Sequence, residues 1–168
     1  GDKLIGTIIT DGKDEVCLAS RSGKAIRFKE TDVRPMGRST RGVKGMNIAK
    51  EDNVISIIKV NPESNLLTLS ENGYGKRTNI SEFGGQKRGG KGVIALNTSE
   101  RNGMMVAAVQ VLDGDEVMLI GNRGTLIRTQ VDQISVIGRN TQGVKVVSTR
   151  EDEKLVDAVG FKESLDEE

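Results

Sequence analysis

Histidine is absent from the 168 residues, and cysteine occurs once, at Cys17. The commonest general base and metal ligand is therefore missing. A lone thiol forms neither a disulfide nor a cysteine metal cluster, so hydrolase triads and zinc sites are excluded. Tryptophan is also absent, and the aromatics are Phe28, Tyr74, Phe83 and Phe161. These are too few to stack successive bases, which argues against single-strand readers and leaves a duplex-backbone binder open. The longest apolar run, Met104 to Val109, is six residues, far short of the ~20 that cross a bilayer. No basic-then-apolar leader opens the chain, so the sequence predicts a cytoplasmic protein with no membrane partner. Neither sign of charge dominates, with 25 basic and 24 acidic side chains. The length suits one domain with a real core.

What is present is uneven charge and a repeat. Residues 150–168 carry three basic and eight acidic groups, so the body is basic and the tail acidic. Gly23-Lys24-Ala25-Ile26-Arg27 recurs as Gly73-Tyr74-Gly75-Lys76-Arg77 and as Gly124-Thr125-Leu126-Ile127-Arg128. Arg38-Ser-Thr-Arg-Gly42-Val43-Lys44 aligns with Arg88 to Ile94 and with Arg139 to Lys145 at the same steps of about 50 residues. A period of that size governs the architecture. The chain divides into a partial unit at 1–14, repeats at 15–64, 65–115 and 116–163, and an acidic tail at 164–168.

Each repeat reads as strands. Val16 to Ala19, Leu66 to Leu69 and Val117 to Ile120 are apolar runs that lead through a glycine turn into a more polar, β-rich stretch, the signature of a hairpin. A glycine-rich loop follows, then a strand at Val43 to Ile48, Val93 to Leu96 or Val144 to Val147. A longer strand such as Val54 to Val60 or Met104 to Leu112 completes the unit. Four strands per repeat is the arithmetic of a propeller-like blade. No long stretch has period 3.6, so the expected class is all-β, with at most a short helix in the tail.

Several motifs carry no chemistry. Gly85 to Lys91 satisfies the G-x-x-x-x-G-K part of a nucleotide loop, but Gly92 stands where the magnesium-binding Ser or Thr belongs and no helix follows. Asp113 and Asp115 align with Gly12 and Asp14 and with Pro62 and Ser64, so turn chemistry accounts for them. Cys17 aligns with Leu67 and Met118 and reads as an inert core thiol. Tyr74 lies in a glycine-flanked turn without an acid–base partner.

The basic residues are informative. Residues 21–45 hold eight basic and two acidic side chains, 71–91 five and two, and 121–145 four and one. A feature fixed within a repeat becomes a stripe across the assembled blades, and a stripe of like charge follows a polyanion. The same residues also fit a merely solvated rim. Gln86-Lys87-Arg88-Gly89-Gly90-Lys91-Gly92 favours the first reading. Its glycines allow close backbone approach and present N–H groups between cations, a phosphate clamp without base-edge readers. Arg38, Arg41, Lys44, Lys76, Arg77, Arg128, Arg139 and Lys145 extend the expected track.

This segment resembles the heptad box, Gln-Arg-Arg-Gly-Gly-Arg/Lys-Gly, of the C-terminal domain of DNA gyrase A. It matches at six positions, with Lys87 for the first Arg. Arg34-Pro35-Met36-Gly37-Arg38, Asn72 to Thr78, Glu100-Arg101-Asn102-Gly103 and Gly138 to Val144 resemble the same family. The resemblance implies a β-pinwheel, a propeller-like disc whose blades exchange strands and whose basic outer edge wraps duplex DNA, here as a partial set of blades. It also implies a non-catalytic part of an ATP-dependent type II topoisomerase that introduces negative supercoils. The remainder of gyrase A and the gyrase B protein would be its partners, and ATP and magnesium would be bound elsewhere, with no cofactor in this chain. The box occurs in the middle repeat, whereas in the family it usually marks the first blade. The C-terminal domain of the corresponding topoisomerase IV protein and a propeller-type protein-interaction scaffold are the alternative readings. Open blade edges allow self-association.

Overall fold

Strands form where the apolar runs and glycine turns place them. The computed structural model describes residues 14–32, 46, 52–84, 92–148 and 153–161. Glu15–Ser20 (β1) and Lys24–Lys29 (β2) make the first hairpin, and Val54–Lys59 (β3) pairs with the free side of β1. The second repeat gives Asn65–Ser70 (β4), Tyr74–Asn79 (β5), the short Val93–Ile94 (β6) and Met105–Val111 (β7). The third gives Glu116–Gly121 (β8), Leu126–Gln130 (β9), Val144–Lys145 (β10) and Leu155–Phe161 (β11). A single 3-10 turn follows each hairpin, at Glu30–Asp32, Ile80–Glu82 and Val131–Gln133. The expected strand at 43–48 and the tail lie outside the described residues, apart from Met46, which is buried.

Sheets do not coincide with repeats. Their orders are β3-β1-β2-β6, β7-β4-β5-β10 and β11-β8-β9. The fourth strand of each complete sheet is lent by the following repeat. β6 joins β2 through Lys24↔Ile94 and Ala25↔Val93, and β10 joins β5 through Val144↔Gly75 and Lys145↔Tyr74. β7 packs against both β3 and β11, which places those three strands on the inner side and β6 and β10 on the outer edge. The all-β class and the exchange of strands between blades are therefore both observed.

Burial explains the strand patterns. β4 is buried on both faces. Leu66 packs with Cys17, Ile58, Phe83 and Met105 between the first two sheets, and Leu67 packs with Val117, Leu119 and Ile134 between the second and third. Each such fully buried leucine stabilises the stack by about 1.5–3 kcal/mol. β8 instead alternates buried and half-buried residues, as a strand with one wet face does. Cys17 has no exposed surface, and burial pushes its thiol up to about 12. Asp115 serves its turn, accepting the Leu112 N–H at 2.9 Å, whereas Asp113 pairs with Arg77 of β5 at 2.6 Å, a role beyond turn chemistry.

Candidate nucleic-acid interface

The outer edge is formed by β6 and β10. Gly92 and Gly143 begin these strands with φ of 81° and 77°. A Cβ on Gly92 would lie 2.6 Å from the Ala25 carbonyl oxygen, and one on Gly143 would lie 2.7 Å from that of Gly75. The last glycine of the box therefore meets a packing requirement, letting the lent strand settle on its neighbour. Gln86, Lys87, Arg88, Gly89, Gly90 and Lys91 lie outside the described residues, as do Arg38, Arg41 and Lys44. In the chain they immediately precede, or fall within, segments equivalent to the outer strands.

Two expected track residues are corrected by the geometry. Lys76 has no exposed surface. Its Nζ donates to the carbonyl oxygens of Gly138 at 2.8 Å and Thr141 at 3.1 Å, to Thr141 Oγ1 at 2.9 Å, and to the Arg139 carbonyl. Burial pushes its ammonium down to about 8, with Glu82 opposing that shift and Arg139 adding to it. Arg77 is also buried, its Nε donating to the Ile134 carbonyl at 2.7 Å and its Nη1 to Asp113. Both positive charges are spent inside the fold on oxygens that follow β7 in the chain, so neither side chain can reach an external polyanion. The point missed in the sequence is that a cation repeated at one strand position serves the repeat interface where a following repeat covers it. Arg27 follows the same rule, pairing with Glu15 and donating to the carbonyls of Ile80 at 3.0 Å and Phe83 at 3.3 Å.

The other described candidates are more accessible. Arg128, equivalent to Arg77, has a 62% exposed side chain held by Glu116 and stacked over Phe161. Arg139 is half-buried and donates from Nη1 to the Ile94 carbonyl of β6 at 3.1 Å. Its loop is thus tied to two sheets, because Lys76 of β5 also donates to the carbonyls of Gly138 and Thr141. Lys145 is exposed on β10 and lies over the Tyr74 ring, with Nζ 5.6 Å from the centroid. Arg101, which the sequence did not place on the track, covers the same ring at 5.2 Å, and its Nε donates to the Tyr74 hydroxyl at 3.1 Å. That hydrogen bond holds the Tyr74 phenol below its ordinary value. Among the described residues no group of three or more acidic or cysteine side chains is arranged to hold a metal ion. No described helix is long and apolar enough to cross a membrane.

Antiparallel sheets that recur every 50 residues or so, and that take their outer strand from the following repeat, define a strand-exchanged, propeller-like protein. The family model of the DNA gyrase C-terminal domain, a beta-propeller, matches residues 14–61, 64–111 and 115–159, and the chain belongs to that family. The DNA gyrase A protein of Escherichia coli (strain K12) is 49% identical over the whole chain, and that of Pseudomonas aeruginosa (strain PAO1) is 53% identical over 93% of it. The chain spans 19% and 17% of those two proteins. A solved DNA gyrase A C-terminal domain superposes with a TM-score of 0.81 at 33% identity, covering 89% of this chain and 51% of that one. The C-terminal domain of DNA topoisomerase IV reaches 0.85 over 91% of this chain and 48% of its own, but at 24% identity it is a likeness of fold alone.

Proposed function

We propose that this chain holds duplex DNA by its phosphates along the outer edge of its sheets, without sequence readout, as part of a gyrase A protein. In the holoenzyme, with the rest of gyrase A and with gyrase B, that hold becomes the wrap from which negative supercoils are introduced; the chemistry of cleavage and ATP use lies outside this chain. The observation that carries the reading is topological. The stretch Gln86 to Gly92, rich in glycine and cations, immediately precedes the outer strand β6 in the chain, and Lys145 stands exposed on the outer strand β10. Arg88, Lys91 and Lys87 are the anchor, with Arg38, Arg41, Lys44, Arg128, Arg139 and Lys145 along the track. The mechanism is electrostatic. Bending 20–30 base pairs by 40–90° costs about 1–6 kcal/mol. Released counterions offset that cost, each neutralised phosphate contributing about −0.9 to the slope of log K against log salt. Relationship to gyrase A at about half identity favours this reading over a topoisomerase IV domain.

The deciding experiment adds the chain to relaxed closed-circular plasmid, treats it with a nicking-closing topoisomerase, removes protein and reads linking number. A protein-dependent positive shift that disappears on replacing Arg88 and Lys91 by Ala is the expected outcome. Absence of any salt-sensitive duplex binding overturns the reading and leaves an interaction scaffold.

A further inference from the structure

The second sheet carries at its outer edge a cluster that the repeat does not explain. Tyr74 opens β5 and faces Lys145 across the β5–β10 ladder. Arg101 arrives from the turn that precedes β7, and that turn is fixed. Asn102 is fully buried, its Nδ2 donating to the Asn97 carbonyl at 2.7 Å and its Oδ1 accepting the Ser99 N–H at 2.7 Å. Asn72 Nδ2 holds the Arg101 carbonyl at 3.1 Å. Two cations from separate segments thus share one aromatic ring, Arg101 at 5.2 Å and Lys145 at 5.6 Å from its centroid. Among the described residues, neither forms an ion pair with a carboxylate. Like charges left to water separate; here a rigid ring and an anchored turn keep them together.

Arg101 and Lys145 are both exposed. Arg101 spends its Nε–H on the Tyr74 oxygen, its one side-chain donation among the described residues, and this lets the phenol direct its own O–H away from the arginine. Lys145 adds an ammonium on the outermost strand. A planar fork, a point charge and a hydroxyl on one preformed platform match a phosphate diester, with its two unesterified oxygens, better than they match a carboxylate. The equivalents of Tyr74 are Lys24 and Thr125, so the other two hairpins lack the ring at this position.

The geometry points to Tyr74, Arg101 and Lys145 as a phosphate clamp, a contact point for the backbone of duplex DNA on the second sheet, separate from Gln86 to Gly92. The ligand assignment rests on the reading proposed above. The test measures duplex affinity of the whole chain by fluorescence anisotropy across a salt series. Arg101→Gln and Lys145→Gln each flatten the log–log slope by about 0.9, the contribution of one phosphate contact. Tyr74→Leu, which keeps both cations, also weakens binding, and Tyr74→Phe retains more affinity than Tyr74→Leu. Lys59→Gln, on the inner strand β3, controls for loss of a charge in general and leaves the slope unchanged. Wild-type binding with unaltered slopes in Arg101→Gln and Lys145→Gln overturns the clamp and takes Lys145 off the track, while the salt-dependent duplex binding itself leaves the reading of the chain as a DNA binder standing. Equal flattening by Lys59→Gln likewise overturns it, since the effect would be one of net charge. A wild-type chain that shows no salt-dependent duplex binding overturns both.

Discussion

The second and third sheets are nearly the same sequence pattern in two surroundings. In the second, Val146 and Val147 N–H groups donate to the Gly73 carbonyl, Arg77 reaches Ile134, and Lys76 is sealed under the loop at 138–141. In the third, the described residues supply no fourth strand. Arg128 turns back to Glu116 on its own hairpin, and Leu126 on the edge strand β9 is 61% exposed. The same repeated residue is therefore structural or solvent-facing according to whether another repeat covers it. A motif position alone does not assign a role in a strand-exchanging fold; the neighbouring repeat does.

The largest break in this comparison comes from the hairpin glycines. Gly73 and Gly124 share a left-handed φ, 87° and 86°, but a Cβ on Gly73 would sit 2.2 Å from the Val147 carbonyl oxygen while one on Gly124 meets nothing within 4 Å. Gly124→Ala should cost only the backbone penalty of about 1–2 kcal/mol. Gly73→Ala should cost that and in addition dislodge the lent strand, since backbone cannot rotate aside as a side chain does. Denaturant midpoints of the two variants check this, and equal losses would remove the distinction between the sheets.

Arginine gives the next contrast. Arg77→Ala strands the Ile134 carbonyl and frees Asp113, a loss of about 3 kcal/mol for buried bonds made by a charged group. Arg128→Ala, on an exposed pair, should leave the thermal midpoint within measurement error. Comparable destabilisation by both would mean that exposure does not set the worth of this position.

Much of the fold was legible because the repeat keeps its register. The hairpins at Val16, Leu66 and Val117, the all-β class and the core fate of Cys17 follow from pattern alone. The pairing of β6 with β2 was not, since a two-residue strand carries no periodicity and its partner lies in another repeat. The same blind spot misplaced Lys76 and Arg77. Both are cations in a basic stretch, and only the cover of residues 134–141 turns them inward. The joining of Tyr74 to Arg101 escaped for the complementary reason: they lie 27 residues apart in the chain, brought together by cross-strand geometry that no spacing rule predicts.

Lys76 offers the smallest and most specific effect. Lys76→Met removes four donations, yet Gly138 O keeps a bond from Thr141 Oγ1 and Thr141 O keeps the Asn97 N–H. Loss of the remaining carbonyl contact should cost about 1–2 kcal/mol. The pH dependence carries a clearer signature. Burial lowers the folded ammonium to about 8, while an unfolded lysine keeps its proton to about 10.4. Between those values the unfolded chain binds more protons, so the contribution of Lys76 to stability rises with pH across this window and is smallest below about 8. Chemical denaturation of the wild type and of Lys76→Met at matched pH isolates this effect, because every other titrating group is common to both. A stability difference that stays flat from about pH 7.5 to 10, across the window in which linkage requires it to change, would show that the surrounding oxygens hold the proton against desolvation, and would place Lys76 as a permanent ammonium pin between the second sheet and the loop above it.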